Sequence, residues 1–208
     1  MNRLQITSRT RSVLTRTLFA ALIAAAPLAA QDSSELRFGA QLSFVNPAGD
    51  ISDFVNTGFG LAGFAEMGYS DEIAFRGRLE YLNFGKKDWN SVNYYGYGEH
   101  LESDLSMFNI AVDGIWSFEG HEEGFFVLVT AGYTNITWKW TGYEYIGSMR
   151  TNVSSSAKSS GLSFGAGIGY NFNSNFGVEV KYINGPSPNR LNDAYSADWF
   201  QATVTYRF

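Results

Sequence analysis

Nine charged residues alternate with apolar residues along the chain, a spacing that could form ion pairs on one face of a β-sheet. They are Arg37, Glu66, Arg76, Arg78, Glu80, Asp113, Glu179, Lys181 and Arg207. Glu66 and Arg76 flank a predicted turn at residues 70–72, so we expect them to face each other across a hairpin. Inside a narrow barrel such charges must pair, because an unpaired buried ion costs several kcal/mol. The set is therefore either a polar plug that fixes strand register and seals the lumen, or a gate whose ion pairs exchange partners.

Aromatic side chains form a second group of candidate residues, in two long polar segments. They are Trp89, Tyr94, Tyr95 and Tyr97 in the first segment, and Trp138, Trp140, Tyr143 and Tyr145 in the second. Exposed aromatic rings can anchor a sugar, a protein or a host-surface ligand. The same rings can instead pack on one another or belong to an aromatic girdle at a membrane interface. We treat them as possible contacts to an extracellular ligand of unknown identity.

Carboxylates in two segments have the chemistry to bind a hard cation. They are Asp50 and Asp53 in the first segment, and Glu99, Glu102 and Asp104, with His100 among them, in the second. Carboxylate oxygens suit Ca²⁺, but acidic loops are usually only solvated. We therefore predict no metal site and no cofactor.

Catalytic chemistry would need a base, commonly histidine, held close to a nucleophile. The chain has two histidines, His100 and His121. His121 has no adjacent serine, and Ser103 lies three residues after His100 with nothing in the sequence to fix the geometry between them. We predict no catalytic residue, and an envelope enzyme acting on lipid A or phospholipid is the third functional alternative.

The elements that position these residues are eight segments with a period of two. They lie at about residues 36–44, 59–69, 73–84, 106–118, 125–136, 161–172, 176–183 and 200–208. Such alternation is typical of strands with one apolar and one polar face. The fifth segment is the least regular, because Phe126 and Leu128 are apolar on the polar face. The sixth carries Gly165, Gly167 and Gly169 on that face, where we expect space that water could fill.

The connections between these segments alternate in length without exception. Those near 45–58, 85–105, 137–160 and 184–197 are long, whereas those near 70–72, 119–124 and 173–175 are short. Outer-membrane barrels have long extracellular loops and short periplasmic turns. The pattern therefore predicts an all-β fold, an eight-stranded antiparallel up-and-down transmembrane β-barrel over residues 31–208. A secreted β-sandwich or a lipocalin-like barrel is the alternative architecture.

Residues 1–30 read as a signal peptide, with four arginines before the apolar run Leu18 to Ala26 and cleavage after about Ala30. Without this segment, 11 basic residues face 20 acidic ones, which argues against a nucleic-acid partner. The chain has no cysteine, so it has neither a disulfide framework nor a catalytic thiolate. Mean hydropathy is only −0.15 although 16% of residues are aromatic, as expected when lipid-facing and lumen-facing residues alternate.

The segment count, the loop alternation and the closing Tyr206-Arg207-Phe208 together resemble small eight-stranded outer-membrane barrels of the OmpA/OmpX and opacity-protein type. The resemblance covers residues 31–208 and implies location in the cell outer membrane, among lipid and lipopolysaccharide. It also implies that the barrel-assembly machinery recognises Tyr206 and Phe208 during biogenesis.

These observations favour a non-enzymatic role in envelope structure and in surface interaction through four extracellular loops. A narrow pore for ions or small solutes is the main alternative. The two predictions differ on whether the charged residues seal the lumen or open it.

Overall fold

The computed structural model describes residues 36–92, 97–120, 122–146, 149–187 and 196–208. The predicted signal peptide, Tyr94, Tyr95 and His121 lie outside the described residues. Nine strands are present among those described: β1 Leu36–Ala48, β2 Asn56–Gly68, β3 Ile73–Gly85, β4 Lys87–Val92, β5 Tyr97–Ser117, β6 Gly124–Ile146, β7 Met149–Asn171, β8 Phe176–Gly185 and β9 Ala197–Arg207. A 3₁₀ helix, Gly49–Asp53, follows β1.

Eight of these strands close into an antiparallel barrel, as the sequence predicts. Their order around the wall is β3, β2, β1, β9, β8, β7, β6, β5, and pairing of β3 with β5 completes the circle. The ninth strand, β4, pairs with the part of β5 from Gly98 to Ser103. Because every barrel strand runs antiparallel to its neighbours, the short turns all lie at one end, the lower rim, and the long connections at the other, the upper rim.

Side-chain chemistry at the lower rim explains why the turns there are short. In the turn between β2 and β3, the hydroxyl of Ser70 accepts a hydrogen bond of 3.1 Å from the backbone N–H of Ile73. In the turn between β7 and β8, Asn173 Oδ1 accepts bonds from the N–H groups of Asn175 and Phe176, at 2.9 and 2.8 Å. Such side-chain to backbone bonds stabilise tight turns. They therefore hold the strand pairs in register at this rim.

The outer surface of the barrel is apolar and carries aromatic rings along the lower rim. Neighbouring rings touch there in a chain of edge-to-face contacts, including Phe125–Tyr170 at 4.8 Å, Tyr170–Phe172 at 5.2 Å and Phe176–Tyr206 at 5.7 Å between ring centroids. This is the arrangement expected of an aromatic girdle. Phe84, near the upper end of β3, is by contrast buried inside the barrel.

Three strands continue well past the upper rim, which corrects the predicted loops at 85–105 and 137–160. β5, β6 and β7 contain 21, 23 and 23 residues. β3 pairs with β5 only as far as Ser106, and β8 pairs with β7 only as far as Phe164. Beyond these points β5, β6 and β7 pair with one another, and β4 joins at the edge of β5. We call residues 87–92, 97–105, 138–146 and 149–157 the projecting sheet.

Among the described residues, no helix has the length and apolar character needed to cross a membrane.

Candidate functional site

Eight of the nine predicted charges lie buried inside the barrel, and together they form what we call the charged layer. It consists of Glu66, Arg76, Arg78, Glu80, Asp113, Glu179, Lys181 and Arg207. Four cations balance four carboxylates, so the layer is electrically neutral. Each member occupies an inward position of its strand, because side chains alternate across a β-strand.

Arg76 is at the centre of the charged layer. Its Nε lies 2.8 Å from Oε2 of Glu66, directly across the β2–β3 pair, and its Nη1 lies 2.8 Å from Oε2 of Glu179. Asp113, its partner on β5, is 3.9 Å away, and the guanidinium lies 5.0 Å from the ring centroid of Phe64. The guanidinium therefore ties β2, β3 and β8 together across the lumen.

Glu179 also binds the only lysine of the layer. Lys181 Nζ lies 2.8 Å from Oε1 of Glu179. Gln41 Nε2 donates to the same oxygen at 3.3 Å and to Thr205 at 3.0 Å. Reasoning from charge alone missed Gln41, although its inward position on β1 is visible in the alternation. Uncharged amides thus extend the layer to β1 and β9.

A second branch of the charged layer surrounds Arg78. Its Nη1 lies 2.8 Å from Oε2 of Glu80 and its Nη2 lies 3.4 Å from Oδ1 of Asp113. Gln201 donates to the other oxygen of Glu80, and to Ser43 at 2.8 Å. Gln201 is a further inward amide that charge-based reasoning missed. This branch links β3 to β5, β9 and β1.

Arg207 and Arg37 differ, although both belong to the predicted set. Arg207 Nε lies 2.9 Å from Oε1 of Glu66, and its Nη1 donates to Asn171 at 3.1 Å. Arg37 lies at the lower rim, where its Nη2 is 3.3 Å from Oε1 of the exposed Glu122. Its position as the first inward charge of β1 puts its guanidinium at the mouth of the barrel, within reach of the turn between β5 and β6.

Four buried polar atoms of this region have no hydrogen-bond partner among the described protein atoms. They are Gln41 Oε1, Arg76 Nη2, Arg78 Nε and Asp113 Oδ2. Each belongs to a side chain whose other atoms are bonded. The charged layer is therefore fully ion-paired but retains unused donors and acceptors.

Above the charged layer the lumen is apolar, whereas the alternating pattern predicts a polar inner face along each strand. The apolar layer consists of Val45, Ile51, Val55, Leu82, Phe84, Leu105, Met107, Ile136, Trp138, Ile183, Ala197 and Trp199. Trp199 is fully buried, and its indole N–H donates to Gln201 at 3.4 Å. These residues sit at inward positions of the upper strand ends or in the first long connection. They form a hydrophobic core inside the barrel.

The 3₁₀ helix after β1 covers the apolar layer at the upper rim. It inserts Ile51, which is 1% exposed. Asp50 Oδ2 accepts a bond of 3.2 Å from the backbone N–H of Ser196, and Lys87 Nζ donates to the carbonyl of Ser52 at 3.1 Å. The connection between β1 and β2 is thus fixed as a lid, through Asp50 to the residue that precedes β9 and through Ser52 to β4.

The inward glycines of β7 do not leave the water-filled space that the sequence suggests. A Cβ at Gly169 would lie 2.1 Å from Cζ of Phe126, and one at Gly167 would lie 2.7 Å from Cβ of Lys181. Phe126 and Leu128, which disturb the alternation of β6, are buried in a small apolar cluster below the charged layer. The glycines therefore make room for large side chains of neighbouring strands.

The aromatic residues of the projecting sheet fall into two groups. Trp138 is buried in the apolar layer, stacks on Trp140 at 4.9 Å and meets Phe54 edge-on at 5.3 Å. Tyr143 lies on the opposite face, stacked with His100 at 5.0 Å and with the guanidinium of Arg150 4.0 Å from its ring centroid. The two tryptophans are thus packing residues, whereas Tyr143 faces outward.

The other aromatic candidates lie wholly or partly outside the described part of the structure. The backbones of Trp89, Tyr97 and Tyr145 lie in strands, but their side chains are outside the described part of the structure, as are Tyr94 and Tyr95 entirely.

The acidic residues of the second long connection are used in part for an ion pair. Glu102 Oε1 binds Lys86 Nζ, and this hydrogen bond, together with the charge of Glu102, raises the pKa of the Lys86 ammonium. Within the described residues, no three or more His, Asp or Glu side chains are grouped so that they could hold a metal ion. His100 stacks on Tyr143.

Comparison with known proteins agrees with this architecture. A family model described as the outer membrane protein beta-barrel domain matches residues 16–208. The chain is similar to Ail of Yersinia pestis, solved with the heparin analogue sucrose octasulfate, at 15% identity, covering 84% of this chain and 97% of that chain, with a TM-score of 0.47. It is also similar to the N-terminal β-barrel domain of Pseudomonas aeruginosa OprF at 13% identity, covering 85% and 100%, with a TM-score of 0.43. A third similar structure is Neisserial surface protein A, at 14% identity, covering 85% of this chain and 100% of that chain, with a TM-score of 0.42. Curated protein sequences give no match.

Proposed function

Because the chain belongs to the family of outer membrane protein β-barrel domains and is a protein of the outer membrane, we propose that it acts without catalysis, as an envelope protein that contacts extracellular ligands through the projecting sheet. The observation that carries this proposal is the length of β5, β6 and β7 beyond the barrel wall. Strands of 9–11 residues suffice to span a membrane. The additional residues of these three strands therefore serve a purpose outside it.

The outward face of the projecting sheet has suitable chemistry for recognition. Tyr143 lies between His100 and Arg150, and these three side chains come from three adjacent strands. Aromatic and guanidinium groups are the side chains that contribute most to binding energy at interfaces. The regular sheet holds them in place, so little conformational entropy is lost when a ligand binds.

The filled lumen argues against a pore. The apolar layer excludes water from the upper part, and the charged layer occupies the middle with neutralised pairs. The specific observation in favour of the pore alternative is the set of four unpartnered polar atoms, since spare donors and acceptors would let ion pairs exchange partners. Single-channel recording in a planar bilayer separates the two functions. We expect a silent bilayer, and reproducible openings altered by Arg76→Ala would favour the pore.

Shortening the projecting sheet tests the surface-interaction proposal. Thr141 and Ser154 are cross-strand partners, so residues 142–153 can be replaced by Asn-Gly, which favours a tight hairpin turn. A reporter bacterium without adhesins of its own would display either protein, and adherence to immobilised polysaccharides and proteins would be counted. We expect attachment to be lost while heat-dependent gel mobility still reports a folded barrel.

A control variant changes a side chain on the lumen side of the projecting sheet and leaves the outward face intact. Trp140→Phe keeps an aromatic ring on the lumen side of the same strand, where the tryptophan packs against the apolar layer. This variant should adhere like the parent protein. Undiminished adherence of the shortened protein would contradict the proposal.

A further inference from the structure

Two lysines lie side by side on the outward face near the base of the projecting sheet. Lys139 on β6 is the register partner of Ser156, and Lys158 on β7 is the partner of Thr137. The lysines therefore occupy diagonal positions on adjacent strands, with Cα atoms about 7–8 Å apart. Both side chains are exposed.

Among the described residues, these two lysines differ from the other cations in having no ion-pair, hydrogen-bond or ring partner. The cations of the charged layer all pair with carboxylates, and at the two rims Arg37 pairs with Glu122 and Lys86 with Glu102. Lys139 and Lys158 form no ion pair or hydrogen bond with any residue in the described ranges. Asp104 is the register partner of Lys139 on β5, yet the two groups form no ion pair. The pair of ammonium groups is thus available to an external anion.

The height of the lysines follows from the apolar belt below them. On β6 the belt ends at Tyr133, and on β7 it ends at Leu162, which is 64% exposed. At about 3.4 Å per residue and a strand tilt near 40°, Lys158 lies about 10 Å above the belt and Lys139 about 15 Å. A lysine stem can bend its ammonium back toward an interface. Both ammonium groups therefore reach the headgroup zone that adjoins the hydrocarbon.

We propose that Lys139 and Lys158 form a binding site for the phosphate groups of lipopolysaccharide in the outer leaflet. Charge complementarity supports this occupant, because two unpaired ammonium groups face a layer of anionic headgroups and can form charge-assisted hydrogen bonds with phosphate oxygens. Continuity supports it as well, since the site lies on the same face as the lipid-facing belt. A bound phosphate would hold the base of the projecting sheet against the membrane surface.

Thermal stability in defined bilayers tests the proposal. The protein would be placed in phosphatidylcholine nanodiscs that contain bisphosphorylated lipid A, dephosphorylated lipid A or neither, and the midpoint of the heat-dependent gel mobility shift would be measured. We expect bisphosphorylated lipid A alone to raise the midpoint. The double variant Lys139→Ala/Lys158→Ala should lose at least half of that rise, and 0.5 M NaCl should reduce the rise for the parent protein.

A charge-matched control removes two other cations from the upper rim. Lys86→Ala/Lys87→Ala should keep the full rise, because Lys86 is already paired with Glu102 and Lys87 donates to the carbonyl of Ser52. In plain phosphatidylcholine all variants should show the mobility of a folded barrel. If the alanine variant does not fold, Lys139→Gln/Lys158→Gln replaces it, because glutamine keeps most of the stem and loses the charge.

Three results would overturn the proposal. The first is a full rise in the Lys139→Ala/Lys158→Ala variant, and the second is an equal rise with dephosphorylated lipid A, which would assign the effect to acyl chains. The third is a lysine-dependent rise caused by inorganic phosphate in plain phosphatidylcholine, which would assign the site to a soluble anion. The shortened variant that tests surface interaction retains both lysines, so the two proposals can fail independently.

Discussion

The charged layer and the apolar layer fill the same lumen with opposite chemistry. In the charged layer, each side chain depends on a specific partner, as Arg76 does on Glu66 and Glu179. In the apolar layer, Trp199 and its neighbours pack without directional bonds. Buried ion pairs contribute little net stability but are costly to break, whereas apolar burial is itself stabilising. The comparison suggests that the charged layer specifies register and the apolar layer supplies packing energy and closes the upper end.

Breaking one ion pair of the charged layer should have the largest effect. Arg76→Met leaves Glu66 and Glu179 without their shared cation, and we expect the free energy of unfolding to fall by about 3–5 kcal/mol. Urea titration in lipid vesicles, followed by gel mobility, measures this change. Arg37→Met is the control, because its partner Glu122 is 73% exposed, and it should cost at most about 1 kcal/mol. Equal costs for the two variants would remove the distinction between buried and rim charges.

Emptying the apolar layer should come next in magnitude. Ile51→Ala removes the side chain that the 3₁₀ helix inserts, and we expect a loss of about 2–5 kcal/mol. Asp53→Ala, in the same helix but exposed, should remain within about 0.5 kcal/mol of the parent protein. Planar-bilayer recording should stay silent for Ile51→Ala, because the charged layer still blocks the lumen. Discrete openings in this variant would show that the apolar layer alone provides the seal.

Removing both members of an ion pair should cost less than the single changes suggest. Arg78→Met and Glu80→Leu each leave a buried partner group with an unmet charge, whereas the double variant leaves neither member of the 2.8 Å pair. We expect a coupling free energy of about 0.5–3 kcal/mol in a double-mutant cycle. Strictly additive effects would show that Arg78 and Glu80 do not stabilise the fold as a pair. The contacts of Arg78 with Asp113 and of Glu80 with Gln201 would then contribute more to the free energy of unfolding.

Much of the barrel could be predicted from the sequence because lipid imposes a strict period of two. With lipid on one side and the lumen on the other, the part of β9 from Phe200 to Arg207 carries the pattern without interruption. Glu66 and Arg76 could be matched because the turn between them fixes their register, and the two groups lie 2.8 Å apart.

The upper half was harder to predict, for physical reasons. Outside the membrane neither face of a sheet meets lipid, so the run from Ser154 to Ser160 is polar on both faces except at Ala157 and lacks the alternation that identifies a strand. It is a strand because it pairs with β6 residue by residue. The apolar layer was missed since the expected polar lumen assigned Leu82 and Met107 no role. The glycines of β7 suggested space because a single sequence does not show which neighbour fills it.

The smallest expected effect on stability comes from an ion pair that is exposed to water, and it tests whether burial distinguishes the charged layer from the surface. Lys86 and Glu102 form the same kind of ion pair as Lys181 and Glu179, but at the upper rim, where the Lys86 side chain is 61% exposed. Water screens such a pair and its side chains lose entropy to form it, so Lys86→Ala should leave the urea midpoint unchanged within error at neutral pH. Because Glu102 raises the pKa of Lys86, any contribution of the pair should be present below the ordinary lysine pKa and disappear as the pH rises through the raised value.

Lys181→Ala, in contrast to Lys86→Ala, should lower the urea midpoint strongly and at every salt concentration. If the two alanine variants lost stability equally, burial would not be what separates the charged layer from the surface, and the specific geometry of each pair would have to explain the difference.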